Sequence, residues 1–290
     1  MTPGTADRIA LLVSRVRNEE NAILSALERR GVPCDRIDPR TLHRRQPGPA
    51  VPWRTVLNRE ISATRALYGA LVLEAGGARV VNSSAAIETC ADKWRTTAAV
   101  GRAGLPTPRT SLALTPQAAL AAAEELGYPV VLKPLVGSWG RRIARLGDAE
   151  TAQALLEYCE ALPGPQSQII YLQEYIDKPG RDIRVIVVGG TPIGAVYRIS
   201  DQWRTNVARG GSTQPCPLSD DIVKLAAAAA TAVGADLAGV DLIEDADGAP
   251  MVLEVNHGVE FTGFQAVHRG RVDVAEAVAD HLLSLHGGTS

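Results

Sequence analysis

Short, continuously apolar runs alternate along the first third of the chain with longer stretches whose apolar residues recur every three or four positions. That pattern predicts buried parallel strands alternating with amphipathic helices. Arg8–Val13 (RIALLV) reads as a strand, Glu19–Arg30 as a helix closed by Gly31, and Pro33–Ile37 as a second strand. Thr55–Asn58, a helix over Ala63–Ala75 ending at Gly76-Gly77, and the strand Arg79–Asn82 continue the alternation. Between them, Thr41–Pro52 (TLHRRQPGPAVP) is basic and proline-bearing, and is expected to be a mobile loop. Residues 1–88 therefore predict one α/β domain.

From there the pattern changes. Helices are expected over Ser84–Cys90 and Lys93–Ala103, the latter stopped by Gly104-Leu105-Pro106, and over Pro116–Leu126, capped by Gly127. The strand Pro129–Lys133, the loop Pro134–Arg142, the strand Ile143–Leu146 and a helix over Ala149–Ala161 make residues 89–170 a second, smaller α+β unit. Residues 171–290 form the third: strands IIYLQEYI, DIRVIVV and PIGAVYRIS, a helix over Asp220–Val233, a closing hairpin, and a helix over Val274–Leu285.

The hairpin organises the chemistry. Ala238–Glu244 carries one acid, Asp241, among apolar residues, and a carboxylate there is costly unless it is paired or bound to a cation. The turn Asp245–Pro250 contains Asp-Gly, and the returning strand Met251–Glu254 brings Glu254 toward Asp241. Glu254 and Asn256 stand two apart, on one face of a strand. Their oxygens are the hard donors that Mg²⁺ prefers, although solvated acids at a hairpin rim fit the same pattern.

Composition narrows the classes. The chain has 290 residues, 46% of them hydrophobic and 4% aromatic, with a net charge of −2, so charge gives no case for nucleic acid. No apolar run approaches the roughly 20 residues of a transmembrane helix, and the first residues lack a signal-peptide pattern. Cys34, Cys90, Cys159 and Cys216 form no CxxC pair and read as reduced thiols of a cytoplasmic protein.

Other candidates are weaker when taken singly. Lys133, at a strand end before Gly137-Ser138-Trp139-Gly140-Arg141-Arg142, fits a phosphate cradle of point charge and backbone N–H groups, or an ordinary turn. Lys93 opens a helix whose dipole favours phosphate, or is a surface lysine. Gln173-Glu174-Tyr175-Ile176 suits a slot for an adenine ring, or a strand exit. Asp182 and Arg184 share a strand face, as a ribose acceptor and a phosphate partner or as an ion pair. Arg198, Arg204, Asn206 and Arg209 surround the loop Asp201–Gly211. His257 follows the acid–amide pair, as a substrate group or a hydrogen-bonded structural histidine. No zinc-type histidine pair and no GxSxG is present.

Taken in order, VLNR (56–59), DKW (92–94), VVLKPLVGSWGR (130–141), QEYIDKPGRDIRV (173–185), YR (197–198), ARGG (208–211), Asp241 and EVNHGVEF (254–261) resemble the ATP-grasp ligases of the RimK-like group. The resemblance runs over essentially the whole chain and is nearest the LysX ligases of lysine biosynthesis. It implies an ATP-grasp fold of three domains with ATP between the second and third. It further implies joining of an amino acid to the C-terminal glutamate of a small acidic amino-group carrier protein of the LysW type, through an acyl phosphate.

The same resemblance implies that Lys93, Lys133 and the loop Gly137, Ser138, Trp139, Gly140, Arg141 hold the ATP phosphates. Gln173, Glu174, Tyr175, Ile176 and Asp182 would hold adenosine, and Arg204, Thr205 and Asn206 form a second nucleotide-side motif. Asp241, Glu254 and Asn256 would bind two Mg²⁺, with Mn²⁺ able to substitute. Arg184, Arg198 and Arg209 become candidates for catalysis at the acyl phosphate. Asn58, Arg59, His257, Gly263 and Phe264 become candidates for substrate contact.

One position departs from the aminoadipate-using enzymes, which carry Asn-Ser or Asn-Thr just after EF; here the pair is Gly263-Phe264, as in glutamate-using relatives. The expectation is therefore glutamate, with an aromatic ring shortening the pocket by about one methylene. α-Aminoadipate, another RimK-like peptide ligase, and a non-catalytic module that docks the carrier are the alternatives. A homo-oligomer is expected by analogy with relatives.

Overall fold

β1 (Ile9–Leu12) is buried at every position, as an unbroken IALL run in the middle of a parallel sheet must be. It lies between β2 (Cys34–Ile37) and β3 (Thr55–Asn58), with β4 (Arg79–Val81) beyond, in the order β2-β1-β3-β4 and all parallel. α1 (Asn18–Arg29) and α2 (Ala63–Glu74) make the crossovers. The 41–52 loop is tied down by Arg44, which donates to the carbonyl oxygens of Gly48, Pro49 and Ala75. This computed structural model describes residues 8–137, 142–200, 202–203 and 212–287.

The middle sheet is antiparallel and runs β5 (Thr110–Ala113), β8 (Ile170–Glu174), β6 (Val130–Lys133), β7 (Ala144–Leu146). α5 (Pro116–Leu126) and α6 (Ala149–Glu160) pack with it through Ala119, Ala123, Leu146, Leu156 and Leu172. Sequence patterning does not predict β5. TSLA is short and only its last residue is buried, so neither alternation nor an apolar run marks it.

The third sheet is antiparallel, in the order β11 (Ser212–Cys216), β10 (Thr191–Ile199), β9 (Arg181–Val188), β12 (Leu237–Glu244), β13 (Pro250–Asn256). Its first face is covered by α3 (Ser84–Ala91), α4 (Lys93–Arg102) and α7 (Asp220–Ala232) through Cys90, Val100, Ala226 and Ala230. Its second face meets the N-terminal sheet. Ile9, Leu11, Ile23 and Leu27 share one core with Ile186, Val188, Leu237, Phe261, Val278 and Leu282, the last two from α9 (Val274–Gly287). The short helix α8 (Thr262–Val267), also absent from the sequence expectations, sits on this seam.

The four cysteines carry no disulfide, and burial pushes the Cys34 and Cys90 thiols up to about 12. Among the described residues no helix is long and apolar enough to cross a membrane.

An ionic cluster closes the seam. Arg59, 4% exposed, donates to Glu20 Oε1 (2.9 Å), Glu19 Oε2 (2.7 Å) and the Val259 carbonyl (2.6 Å). Glu19 Oε1 in turn accepts the backbone N–H groups of Phe261 (2.6 Å) and Thr262 (2.7 Å), and the Thr262 hydroxyl (2.8 Å). A carboxylate from the first domain thus caps the helix that opens beside the cleft. Arg59→Leu leaves Glu19 and Glu20 with less counter-charge in a dry site and is expected to cost ~3–5 kcal/mol in equilibrium urea unfolding. A cost below ~1 kcal/mol would mean that the cluster does not hold the seam.

Candidate active site

The three sheets enclose a cleft of about 1030 Å³. Its floor is set by strand register. Asp241 of β12 lies opposite Glu254 of β13 on one side and Arg184 of β9 on the other. A bulge follows Asp241, because Leu242 pairs with Val252 and leaves Leu253 as the extra residue. Arg198 of β10 lies opposite Asp182 of β9.

These cross-strand neighbours form a ladder of alternating charge. Arg184 grips Asp241 through Nε on Oδ1 and through Nη2 on Oδ2 at 2.8 Å. Arg198 reaches Asp241 Oδ1 at 3.2 Å and Asp182 Oδ1 at 2.5 Å. Lys178 Nζ lies 3.6 Å from Asp182 Oδ2. Asp241 is 3% exposed; burial works against its ionisation, but Arg184 and Arg198 outweigh it and hold the carboxyl below its ordinary range. Burial likewise opposes the charge on Arg198, and Asp241 and Asp182 more than restore it. Gly239 makes room for the ladder, since a Cβ there would stand 3.0 Å from Arg184 Nη1.

Two lysines face the same floor. Asp92 caps α4 by accepting from the Arg95 N–H, and Lys93 then reaches the Gly137 carbonyl (2.9 Å) and Glu254 Oε1 (3.2 Å). Lys133 donates to Gln173 Oε1 at 2.5 Å; burial pulls it down to about 8, with Glu254 acting in the other direction. Around the floor, Lys93, Lys133, Lys178, Arg184 and Arg198 meet Asp182, Asp241 and Glu254, a local excess of positive charge suited to polyphosphate, whereas the rest of the cleft lining sets Arg17 and Arg59 against Glu19, Glu60, Glu174 and Glu260.

Asn256 stands beside Glu254 as the spacing predicts, and its amide nitrogen lies 3.3 Å from Asp241 Oδ2. Among the described residues no group of three or more His, Cys, Asp or Glu side chains is arranged to hold a metal. The Asp241 and Glu254 carboxylates and the Asn256 amide oxygen are donors of the kind that would hold a hard divalent cation beside phosphate, with Asp241 here accepting from Arg184 at both oxygens.

Gln173, Glu174, Tyr175 and Ile176 all line the cleft. Gln173 is 1% exposed and donates to Thr110 Oγ1 (3.0 Å) and the Tyr171 hydroxyl (3.2 Å). The Glu174 carboxylate accepts from Arg109 N (2.7 Å) and Nε (2.8 Å), so its side chain is occupied by protein. The Tyr175 ring has the Arg145 guanidinium 4.1 Å from its centroid and Trp203 edge-on at 6.3 Å.

At the other end, Asn58 donates to the Ala66 carbonyl (2.8 Å) and accepts from the Glu60 N–H (3.2 Å), while Arg59 belongs to the seam cluster. Gly263 borders the cleft with nothing among the described residues within 4 Å of where a Cβ would stand. Phe264, 4% exposed, lines the same end. Gly137 lies at the cleft edge, whereas Ser138, Trp139, Gly140, Arg141, Arg204, Thr205, Asn206 and Arg209 lie outside the described residues. Lys178, Gly239, Glu19 and Arg109 escaped the sequence reading, because only cross-strand register or domain contact gives them a partner.

Residues 90–282 match the RimK-like ATP-grasp domain and residues 9–89 the LysX preATP-grasp domain. The chain is 32% identical to the glutamate–LysW ligase ArgX of Sulfurisphaera tokodaii over 95% of its length and 98% of that protein's. It is 36% identical to the α-aminoadipate–LysW ligase LysX of Saccharolobus solfataricus over 71% of its length and 75% of that protein's. A RimK-domain ATP-grasp protein of Sphaerobacter thermophilus superposes with a TM-score of 0.77 at 28% identity, covering 95% of this chain and 99% of that one. The fold is ATP-grasp, with the ATP binding and divalent-metal use that this fold implies. The chain belongs to the RimK-like ATP-grasp family, enzymes that form C–N bonds at the expense of ATP.

His257 borders the cleft, and burial holds its ring down to about 4. Because folding excludes the proton, stability from this group is complete above the free-histidine value of ~6.5 and is lost as pH falls through about 4. NMR of the ring is expected to show a neutral imidazole from pH 8 down to about 5.5. An inflection near 6.5 would contradict the burial.

Proposed function

We propose that the protein is an ATP-dependent ligase that joins the α-amine of glutamate to the side-chain carboxylate of the C-terminal glutamate of a small, acidic, LysW-like carrier protein. The observation that carries this reading is the Phe264 wall at the end of the cleft, in a chain similar end to end to a glutamate–LysW ligase. A buried ring there fits a short acidic side chain. The space that the described residues leave beside Gly263, which a larger residue would enter, adds room for the carrier's tail.

ATP lies between the middle and third sheets. Its phosphates face Lys93 and Lys133, and its adenine borders the backbone and apolar side chains of Glu174, Tyr175 and Ile176. Asp241, Glu254 and Asn256 would hold divalent metal, which neutralises charge on the phosphates when bound. A carboxylate oxygen of the carrier attacks the γ-phosphorus and the bond to the β,γ-bridging oxygen breaks, so that ADP leaves and an acyl phosphate forms. The glutamate amine then attacks the acyl carbon, phosphate departs with the C–O bonding pair, and the proton that the amine loses passes to the released phosphate or to water.

Lys93, Lys133 and Arg184 stabilise the transferring phosphoryl group, and Arg198 holds Asp241 in place. Arg59 and Asn58 keep the substrate end rigid through their protein contacts. Catalysis rests on orientation and on charge already arranged in the cleft.

An amino-acid panel with ATP, Mg²⁺ and a LysW-type carrier, read by intact mass, is expected to show one added glutamate residue with stoichiometric ADP. Preferential addition of α-aminoadipate would overturn the amino-acid assignment. No adduct with any amino acid would overturn the carrier-ligase reading itself.

A further inference from the structure

Phe264 does not hold its position alone. Its ring is clamped by two residues that are not among those lining the cleft. The first is Gly194, buried in β10 beside the irregularity between Pro192 and Gly194, where the β9 register shifts. A Cβ at Gly194 would stand 2.5 Å from Phe264 Cζ and 3.3 Å from Cε2, so the tip of the ring fills the space left by the missing side chain. Real side chains do not approach so closely, and the neighbour is a ring in a packed core with no flexible end to swing away.

The second residue is His268, just after α8 and 8% exposed, whose ring lies 4.5 Å from the Phe264 ring at a tilt of 38°. Its Nε2 lies 2.9 Å from the Ala195 carbonyl oxygen, which only accepts, so Nε2 carries the proton and donates. The imidazole is thereby anchored to the strand residue next to Gly194. The aromatic ring is held at its tip by a backbone and on one face by an imidazole tied to that same backbone.

We propose that Gly194 and His268 are positioning residues for substrate specificity: through Phe264 they set the depth of the amino-acid end of the cleft. The inference rests on the assignment of that end to the amino acid. The clamp converts a flexible wall into a rigid one. A rigid wall is what length discrimination requires, since one methylene is worth only about a 10–200-fold difference in kcat/KM even in a well-formed pocket.

The test measures kcat/KM for whichever amino acid the enzyme prefers and for its homologue one methylene longer. It compares the parent with Gly194→Ala, His268→Gln and Phe264→Ala, at saturating ATP and carrier. His268→Gln retains a donor for the Ala195 carbonyl and removes the ring face, so it separates anchoring from stacking. The length preference is expected to change at least about fivefold in His268→Gln and in Gly194→Ala, with KM for ATP unchanged. A merely structural lesion would lower both amino acids together and leave their ratio alone.

The chain has two phenylalanines, so phenylalanine labelled with ¹³C at Cζ alone gives two ring signals. The Phe264 signal is expected to move in both variants, and it reports the clamp even if one of them turns over poorly. A ratio that shifts in Phe264→Ala but not in the other two would overturn the clamp and leave the proposed function standing. A ratio unmoved in all three would remove Phe264 as the wall. A parent that prefers an amino acid other than glutamate would refute the glutamate assignment, while the shift in ratio would still decide the clamp.

Discussion

The cleft depends on one buried acid. Asp241 sits inside a sheet, where an unpaired carboxylate would be expensive, and it is kept ionised by two guanidinium groups, Arg184 from the adjacent strand β9 and Arg198 from β10 beyond it. Register makes this work: β9 sets Arg184 directly across from Asp241, and β10 sets Arg198 across from Asp182. The sheet thus holds side-chain cations at known positions without flexible arms. Because Asp182 and Asp241 balance Arg198 on both sides, that guanidinium is orientationally locked. Preorganised charge of this kind is what phosphoryl transfer asks of a protein, since little of the bond-making falls to the side chains themselves.

The second constraint is mechanical. The N-terminal sheet and the third sheet share an apolar core, and the Glu19–Arg59 cluster fastens the segment from Val259 to Thr262 across their seam. α8, Gly263 and Phe264 follow immediately. On the proposed assignment, the amino-acid end of the cleft is therefore positioned by the first domain and by the strand β10, while the phosphate end is positioned by α4, β6 and the β12–β13 hairpin. Under the proposed function, two ends set by different elements allow substrate choice to change without disturbing the phosphate chemistry.

Much of this was legible in the sequence. The hairpin through Asp241 and Glu254, the spacing of Glu254 and Asn256, and the strand ends carrying Lys133 and Gln173 all follow from local alternation and turn chemistry. The elements that escaped were β5, β11 and α8, each too short or too polar to carry a periodic signal. Partners escaped for a different reason. Nothing local in QEYI says that Glu174 is taken by Arg109, and nothing in VLNR says that Arg59 is enclosed by Glu19 and Glu20, because those contacts cross 65, 40 and 39 residues of chain. Local pattern gives the faces of strands, whereas the assignment of a charged side chain to substrate or to protein needs the fold.

The central claim is that this charge ladder serves direct phosphoryl transfer to a carboxylate. The measurement that tests it most directly is isotope transfer from a carrier whose C-terminal glutamate side chain bears ¹⁸O in its carboxylate. The account predicts one ¹⁸O atom in the inorganic phosphate released with each amide formed, and none in the nucleotide. Label appearing in AMP, or phosphate free of label while the amide forms, would contradict it.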